Sequence, residues 1–87
     1  MHMKGSSMIP EDEILEIKNY IKGQLAAAGG NIKVAVDRMN ATYEDRKDYY
    51  PTTTKQVNEG TLPYWKAVRM AKVMGYDIRW VKHKENE

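Results

Sequence analysis

A run of polar side chains precedes Gly60 and offers hydrogen-bonding groups at the spacing of a helix surface. Glutamine and asparagine amides can pair with adenine edges, lysine with guanine or phosphate, and threonine hydroxyls with phosphate. The run is predicted to be a helix, residues 52–59, in which only Thr54 and Val57 face a core. Because a helix this short and polar is marginal in water, the rest of the chain must hold it in place. We interpret it as a recognition helix whose outward side chains are Thr52, Thr53, Lys55, Gln56 and Asn58.

The first of the helices that would position this one begins after Pro10. Proline and the three acids that follow it both suit the N-terminus of a helix. Gly29 and Gly30 can adopt positive φ, so the helix is predicted to end at Ala28. Its apolar stripe, at three- and four-residue spacing, comprises Ile14, Ile17, Ile21 and Leu25.

Two further helices are predicted on either side of the recognition helix. Asn31 is a suitable N-cap for the earlier one, whose buried side comprises Ile32, Ala35, Val36 and Met39. The later one follows Thr61 and Pro63, ends at Gly75, and turns Ala67, Met70, Ala71 and Met74 inward. Its cations, Lys66, Arg69 and Lys72, are predicted to face phosphate or water. The expected fold class is all-α: a compact four-helix domain over residues 10–82 with a short C-terminal strand or arm.

Two segments lie outside these helices. Eleven residues, Ala41 to Pro51, form the predicted loop before the recognition helix, and Tyr49 and Tyr50 are expected to cover the edge of the core there. Residues 76–82 alternate apolar and polar side chains, which favours a strand or an extended arm. A lone strand leaves its backbone groups unpaired. We therefore expect this segment and the fourth helix to join two copies into a symmetric dimer, with Trp80 at or near the contact.

The sequence QVNEGTLPYWKAVRMAKVMGYDIRWV resembles the second half of the Cro/phage-repressor (lambda-repressor-like) helix-turn-helix domain. NIKVAVDRMN, residues 31–40, is similar to the first helix of that family's motif, and the resemblance covers roughly residues 11–80. The long loop departs from the family, because a tight helix-turn-helix joins its helices by about 3–4 residues. The residues that match the family pattern are Val57, Gly60, Ala71, Met74, Gly75, Ile78 and Trp80.

The resemblance implies a sequence-specific regulator of transcription, of phage, prophage or mobile-element type, that binds duplex DNA as a homodimer. Helix 52–59 would enter the major groove, where Thr52, Thr53, Lys55 and Gln56 would read bases. The phosphate contacts that it implies are Asn31, Lys33, Asn58 and Thr61. The main alternative is a protein-interaction or antitoxin-like accessory module on the same fold. Binding of RNA or of single strands is a third interpretation.

Composition agrees with a small DNA-binding domain. Residues 1–45 carry five Lys/Arg against seven Asp/Glu, a net charge of −2, and residues 46–87 carry nine against five, a net charge of +4. Positive charge therefore accumulates in the half with the recognition helix, as phosphate binding would require. The 87 residues include no cysteine, which fits a cytoplasmic protein, and no apolar run approaches the ~20 residues that span a bilayer.

Nothing in the sequence indicates an enzyme. His2 and His83 have no metal-ligand spacing, no glycine-rich phosphate loop follows a strand, and Ser6 and Ser7 lie in a polar leader. We therefore expect no catalytic residue, metal, cofactor, small-molecule substrate or membrane partner. Residues 1–9 are interpreted as a tag or disordered segment, and residues 83–87 as a polar tail.

Overall fold

Three of the four helices in the computed structural model, which describes residues 9–82, end within two residues of a glycine. The four helices are α1 (Glu11–Ala27), α2 (Ile32–Thr42), α3 (Tyr50–Glu59) and α4 (Tyr64–Val73), and no strand occurs among the described residues. The all-α, four-helix class is confirmed. Two predicted termini are also confirmed: the Asn31 side chain accepts a hydrogen bond from the Val34 backbone N–H (3.0 Å), and Gly60 adopts φ = +74° after α3.

The helix α2 lies at the centre of the core. It packs against all three other helices, and α1 also packs against α3. The predicted buried side of α2 is confirmed by the buried hydrophobic cluster. That of the fourth helix is confirmed at Met70 and Met74, whereas Ala67 and Ala71 are only partly buried, and the stripe of α1 is confirmed mainly at Leu25. Ile21 is only partly buried, and Ile17 is 44% exposed, so its inward assignment was wrong. The cluster comprises Leu25, Ile32, Ala35, Val36, Met39, Val57, Met70 and Met74.

The loop before α3 is shorter than predicted. It spans residues 43–49, because α2 continues to Thr42 and α3 begins at Tyr50, with Pro51 inside its first turn. Proline is tolerated there because the first N–H groups of a helix have no intrahelical acceptor. Tyr49 and Tyr50 are 64% and 44% exposed, so the prediction that they cover the core edge was wrong. Tyr43 packs against the core instead.

The chain after Gly75 forms an arm without regular secondary structure. Residues 76–82 pair with no strand within the described residues, so of the two predicted forms the arm is the one observed. Its apolar side chains stay accessible, and Trp80 is 90% exposed. Residues 1–8, with His2, Ser6 and Ser7, and residues 83–87, with His83, lie outside the described residues. Of the predicted leader, residues 1–9, only Ile9 is described.

Candidate nucleic-acid interface

The outward face of α3 carries three polar side chains in one row. Thr52, Lys55 and Asn58 are all exposed, and because they lie three residues apart they occupy one side of the helix. None of these side chains pairs with another residue between 9 and 82. Their hydrogen-bonding groups therefore remain available to a ligand, as predicted.

Thr53 does not belong to this face. Its side chain is fully buried, and its hydroxyl donates a hydrogen bond to the Tyr49 carbonyl (2.9 Å). Thr53 and Val57 are four residues apart, and together they form the buried side of α3. Thr54, predicted to be inward, is partly buried. The outward assignment of Thr53 was wrong because three consecutive threonines give no periodic signal from which to choose the buried one.

Gln56 lies at the edge of the outward face and has a charged partner. It is half-buried, and its Oε1 accepts a hydrogen bond from Lys66 Nζ at 2.7 Å. Lys66 is only 2% exposed. The prediction that Lys66 faces phosphate or water was therefore wrong: this lysine points into the protein and connects α4 with α3.

Asp48 supplies the negative charge beside this buried lysine. Lys66 Nζ and Arg46 Nε each lie 3.4 Å from Asp48 Oδ1, and the Asp48 side chain is 3% exposed. Oδ1 accepts no hydrogen bond of good geometry among the described residues, so direct charge attraction holds the carboxylate. Such attraction is stronger in the interior than in water, because the local dielectric constant is lower.

The Asp48 backbone is held by α2. The Asn40 side chain donates a hydrogen bond to the Asp48 carbonyl (2.9 Å) and accepts one from the Asp48 N–H (2.8 Å). This pair of bonds fixes the end of the loop directly before α3. The loop, α2, α3 and α4 are therefore joined by one polar cluster, which we call the Asp48 cluster: Asn40, Arg46, Asp48, Gln56 and Lys66.

Arg69 ties the other end of the loop to α4. Its guanidinium donates two hydrogen bonds of 3.1 Å to the Asp45 carboxylate and lies 4.0 Å from the centre of the Tyr43 ring. These hydrogen bonds lower the pKa of Asp45, and the same contact raises the pKa of Arg69. Arg46 covers the Trp65 ring at 4.7 Å. Arg69, predicted to face phosphate or water, is thus engaged within the protein.

The predicted phosphate-binding residues outside α3 are exposed. Lys33 pairs with Asp37 at 3.2 Å, but both side chains are about 60% exposed, and surface pairs of this kind stabilise a protein little. The side-chain oxygen of Asn31 caps α2, and its side-chain NH₂ group remains available to donate hydrogen bonds. Thr61 is exposed, and its backbone N–H caps α3 by donating to the Gln56 carbonyl (2.9 Å).

Sequence reasoning missed the Asp48 cluster, although part of a signal was present. Lys66 lies four residues before Met70 and eight before Met74, so all three share one side of α4. That spacing predicts an inward lysine, which then requires a buried anion. No spacing rule pointed to Asp48, because its partner lies on an element beyond α3.

An apolar groove lies away from α3, between α1, α4 and the arm. Its volume is about 360 Å³, and its lining includes Tyr20, Leu25, Met70, Met74, Ile78 and Val81. Next to it, Trp80 projects into solvent. The predicted dimer contact, residues 76–82 with α4, borders this groove.

Comparison of the chain with protein-family models, curated proteins and solved structures gives no match, so the resemblance to the repressor family stays a prediction. No helix in residues 9–82 is long and apolar enough to cross a membrane. Within the same residues, no three His, Cys, Asp or Glu side chains are grouped so that they would hold a metal ion.

Proposed function

We propose that this protein is a sequence-specific, duplex-DNA-binding regulator of transcription of phage or mobile-element type, located in the cytoplasm. The observation that carries the proposal is the unpartnered polar row of Thr52, Lys55 and Asn58 on α3. A ten-residue helix is about 15 Å long, and the major groove of B-DNA admits an α-helix. In this position Thr52 and Lys55 would face base edges, and Asn58 would contact a phosphate.

Other exposed polar groups suit the phosphate backbone. Lys33, Asn31 and Thr61 would contact phosphates, and the +4 charge of residues 46–87 would favour the approach of an anion. Thr53 has no part in this interface, because its hydroxyl is buried and bonded to the backbone.

A protein-interaction module is the second candidate, and one observation favours it. Tyr49 and Tyr50 are exposed directly before the polar row, and exposed tyrosines are typical anchors of protein interfaces. Tyrosine hydroxyls also contact phosphate oxygens, so the pair does not decide between the candidates by itself.

Selection of duplexes from a random pool tests the proposal. The expected result is enrichment of one sequence, whose affinity falls steeply with salt concentration. Lys55→Ala should lower affinity for the selected duplex and relax one base preference. Lys33→Ala should weaken all duplexes alike and reduce the salt slope by about one. Lys22→Ala, an exposed lysine on α1, is the matched control. Absence of any enriched duplex would leave the protein-interaction candidate.

A homodimer is part of the same proposal, because one short helix makes too few base contacts to select one site in a genome. The arm offers exposed apolar side chains beside α4, namely Tyr76, Ile78, Trp80 and Val81. Sedimentation of the intact chain should show a dimer, and a chain ending at Gly75 should sediment as a folded monomer. A monomer at high micromolar concentration, with and without duplex DNA, would contradict the dimer. Dimers of the shortened chain would place the contact elsewhere.

A further inference from the structure

We propose that Lys66 is a positioning residue that fixes the Gln56 amide, so that α3 presents an NH₂ donor and favours guanine over cytosine at that contact. The inference rests on the proposed function and adds a specificity to it. Lys66 itself touches no nucleic acid. It acts through the 2.7 Å hydrogen bond from its Nζ to Gln56 Oε1.

The orientation of the amide follows from the chemistry of its partner. A lysine ammonium has three donors and no acceptor. Of the two amide atoms, only the oxygen can therefore lie 2.7 Å from Lys66 Nζ, and Nε2 must occupy the other position. A flipped amide would bring two donors together in a site where Lys66 is 2% exposed and water cannot separate them.

The Asp48 cluster keeps Lys66 in this position. Asp48 Oδ1 attracts the ammonium from 3.4 Å, and the Asp48 backbone is held by two Asn40 hydrogen bonds. Lys66 therefore has a charge on one side and the Gln56 oxygen on the other. Gln56 differs in this respect from Asn58, whose exposed amide has no partner among the described residues and can present either end.

A fixed NH₂ donor distinguishes guanine from cytosine in a major groove. Guanine presents two acceptors there, N7 and O6, whereas cytosine presents the N4 amino donor. At the base pair that faces Gln56, guanine on the contacted strand satisfies Nε2, and cytosine sets donor against donor. A freely rotating glutamine would not discriminate in this way, because it can offer its oxygen instead.

Gln56→Glu is the decisive substitution. It keeps an oxygen at Lys66 Nζ, now as an ion pair, and replaces the outward NH₂ by a second oxygen that accepts hydrogen bonds. The preference at one base pair should change from guanine to cytosine, with a change of at least about tenfold in the ratio of the two affinities. Asn58→Asp adds the same charge to the same helix without a Lys66 contact. This control should weaken all duplexes alike and leave the preference at that base pair unchanged.

The contact can also be measured without DNA. In the free protein, NMR should show the Lys66 ammonium protons close to the Gln56 side chain, and Lys66→Met should shift the Gln56 NH₂ resonances. Because that variant leaves Asp48 with one cation fewer, Lys66→Met/Asp48→Asn serves as the second variant. Its expected effect on binding is a smaller ratio of guanine to cytosine affinity.

The outcomes separate this inference from the proposed function. If the wild type selects a duplex but Gln56→Glu weakens every sequence equally, the inference is overturned and the DNA-binding proposal stands. The inference is likewise overturned if Lys66→Met/Asp48→Asn keeps the full base preference. If neither the wild type nor any variant selects a duplex, the proposed function is contradicted, and the inference with it.

Discussion

Neutralising the two members of the buried Lys66–Asp48 pair, singly and together, measures what the Asp48 cluster contributes to stability. The substitutions are Lys66→Met and Asp48→Asn, which keep the approximate size of each side chain. Both groups are almost fully buried, at 2% and 3% side-chain exposure. Removing one partner of a buried pair leaves the other charge uncompensated and costs about 3–5 kcal/mol.

The structure predicts an unequal cost for the two single variants. Without Lys66, Asp48 keeps Arg46 Nε at 3.4 Å, so we expect a loss of about 2–3 kcal/mol. Without the Asp48 charge, the Lys66 ammonium keeps the neutral Gln56 Oε1 and no anion among residues 9–82, so we expect the full loss of about 3–5 kcal/mol. The double variant buries no unpaired charge, and its loss should be only about 1–3 kcal/mol.

Urea denaturation of the four proteins gives these values. Urea is preferred to guanidinium chloride because the latter is a salt and screens charges. Since small domains are stable by about 5–15 kcal/mol, each loss is a large share of the total and shifts the midpoint clearly. If the losses of the single variants add up to that of the double variant, the two charges are not coupled and the cluster is misassigned.

Three further predictions address the α3 face, the packing of α3 and the loop. Thr53→Val should destabilise the protein by about 1 kcal/mol, because it removes the hydrogen bond from the Thr53 hydroxyl to the Tyr49 carbonyl. Thr52→Val, at an exposed position, should leave the urea midpoint unchanged. Equal effects of the two substitutions would place both threonines on one face. Gly60→Ala should lower the free energy of unfolding by about 1–2 kcal/mol, because Gly60 has φ = +74° and a Cβ would lie 3.2 Å from Ile14 Cγ1. The control, Gly23→Ala, lies in the middle of α1 with open space around it and should raise the free energy of unfolding by about 0.5–1 kcal/mol. Because the Arg69 contact lowers the pKa of Asp45, it stabilises the fold fully above the ordinary value of 3.8, and this contribution is lost as pH falls through the lower, folded value. Asp45→Asn should therefore be less stable than the wild type at pH 7, and the difference in the free energy of unfolding should shrink as pH is lowered below 3.8. A difference that stays constant in acid would contradict this.

Most of the fold could be predicted because its determinants are local or periodic. Asn31 caps α2 with its own side chain, Gly60 ends α3 with positive φ, and the α2 stripe repeats at the helical period. These signals need no knowledge of distant residues. The inward assignment of Ile17 was wrong because the helical period identifies the apolar side of α1, but not how far along that side the neighbouring helices cover it.

The buried or exposed positions of the site residues were predicted less accurately than the helices, because these positions depend on tertiary contacts. Thr53 and Thr52 have the same side chain, and only the position of α3 against the core decides which is buried. Lys66 was assigned to the surface by residue type, although its spacing from Met70 indicated the interior. Its burial is tolerated because Asp48 arrives from a loop that is 18 positions earlier in the chain, and local patterns do not report such pairs.

The two sides of α3 have different consequences for how this protein can diverge. Thr53 and Val57 alone are buried there, so their identities are tied to the core. The side chains at positions 52, 55 and 58 make no hydrogen bond or ion pair within residues 9–82, and relatives should vary at each of them independently, with little loss of folding stability. Position 56 is different, because its side chain accepts a hydrogen bond from Lys66. Among relatives, residues 48, 56 and 66 should therefore change together. Where position 66 is neutral, position 48 should also be neutral, and position 56 should carry a wider range of side chains.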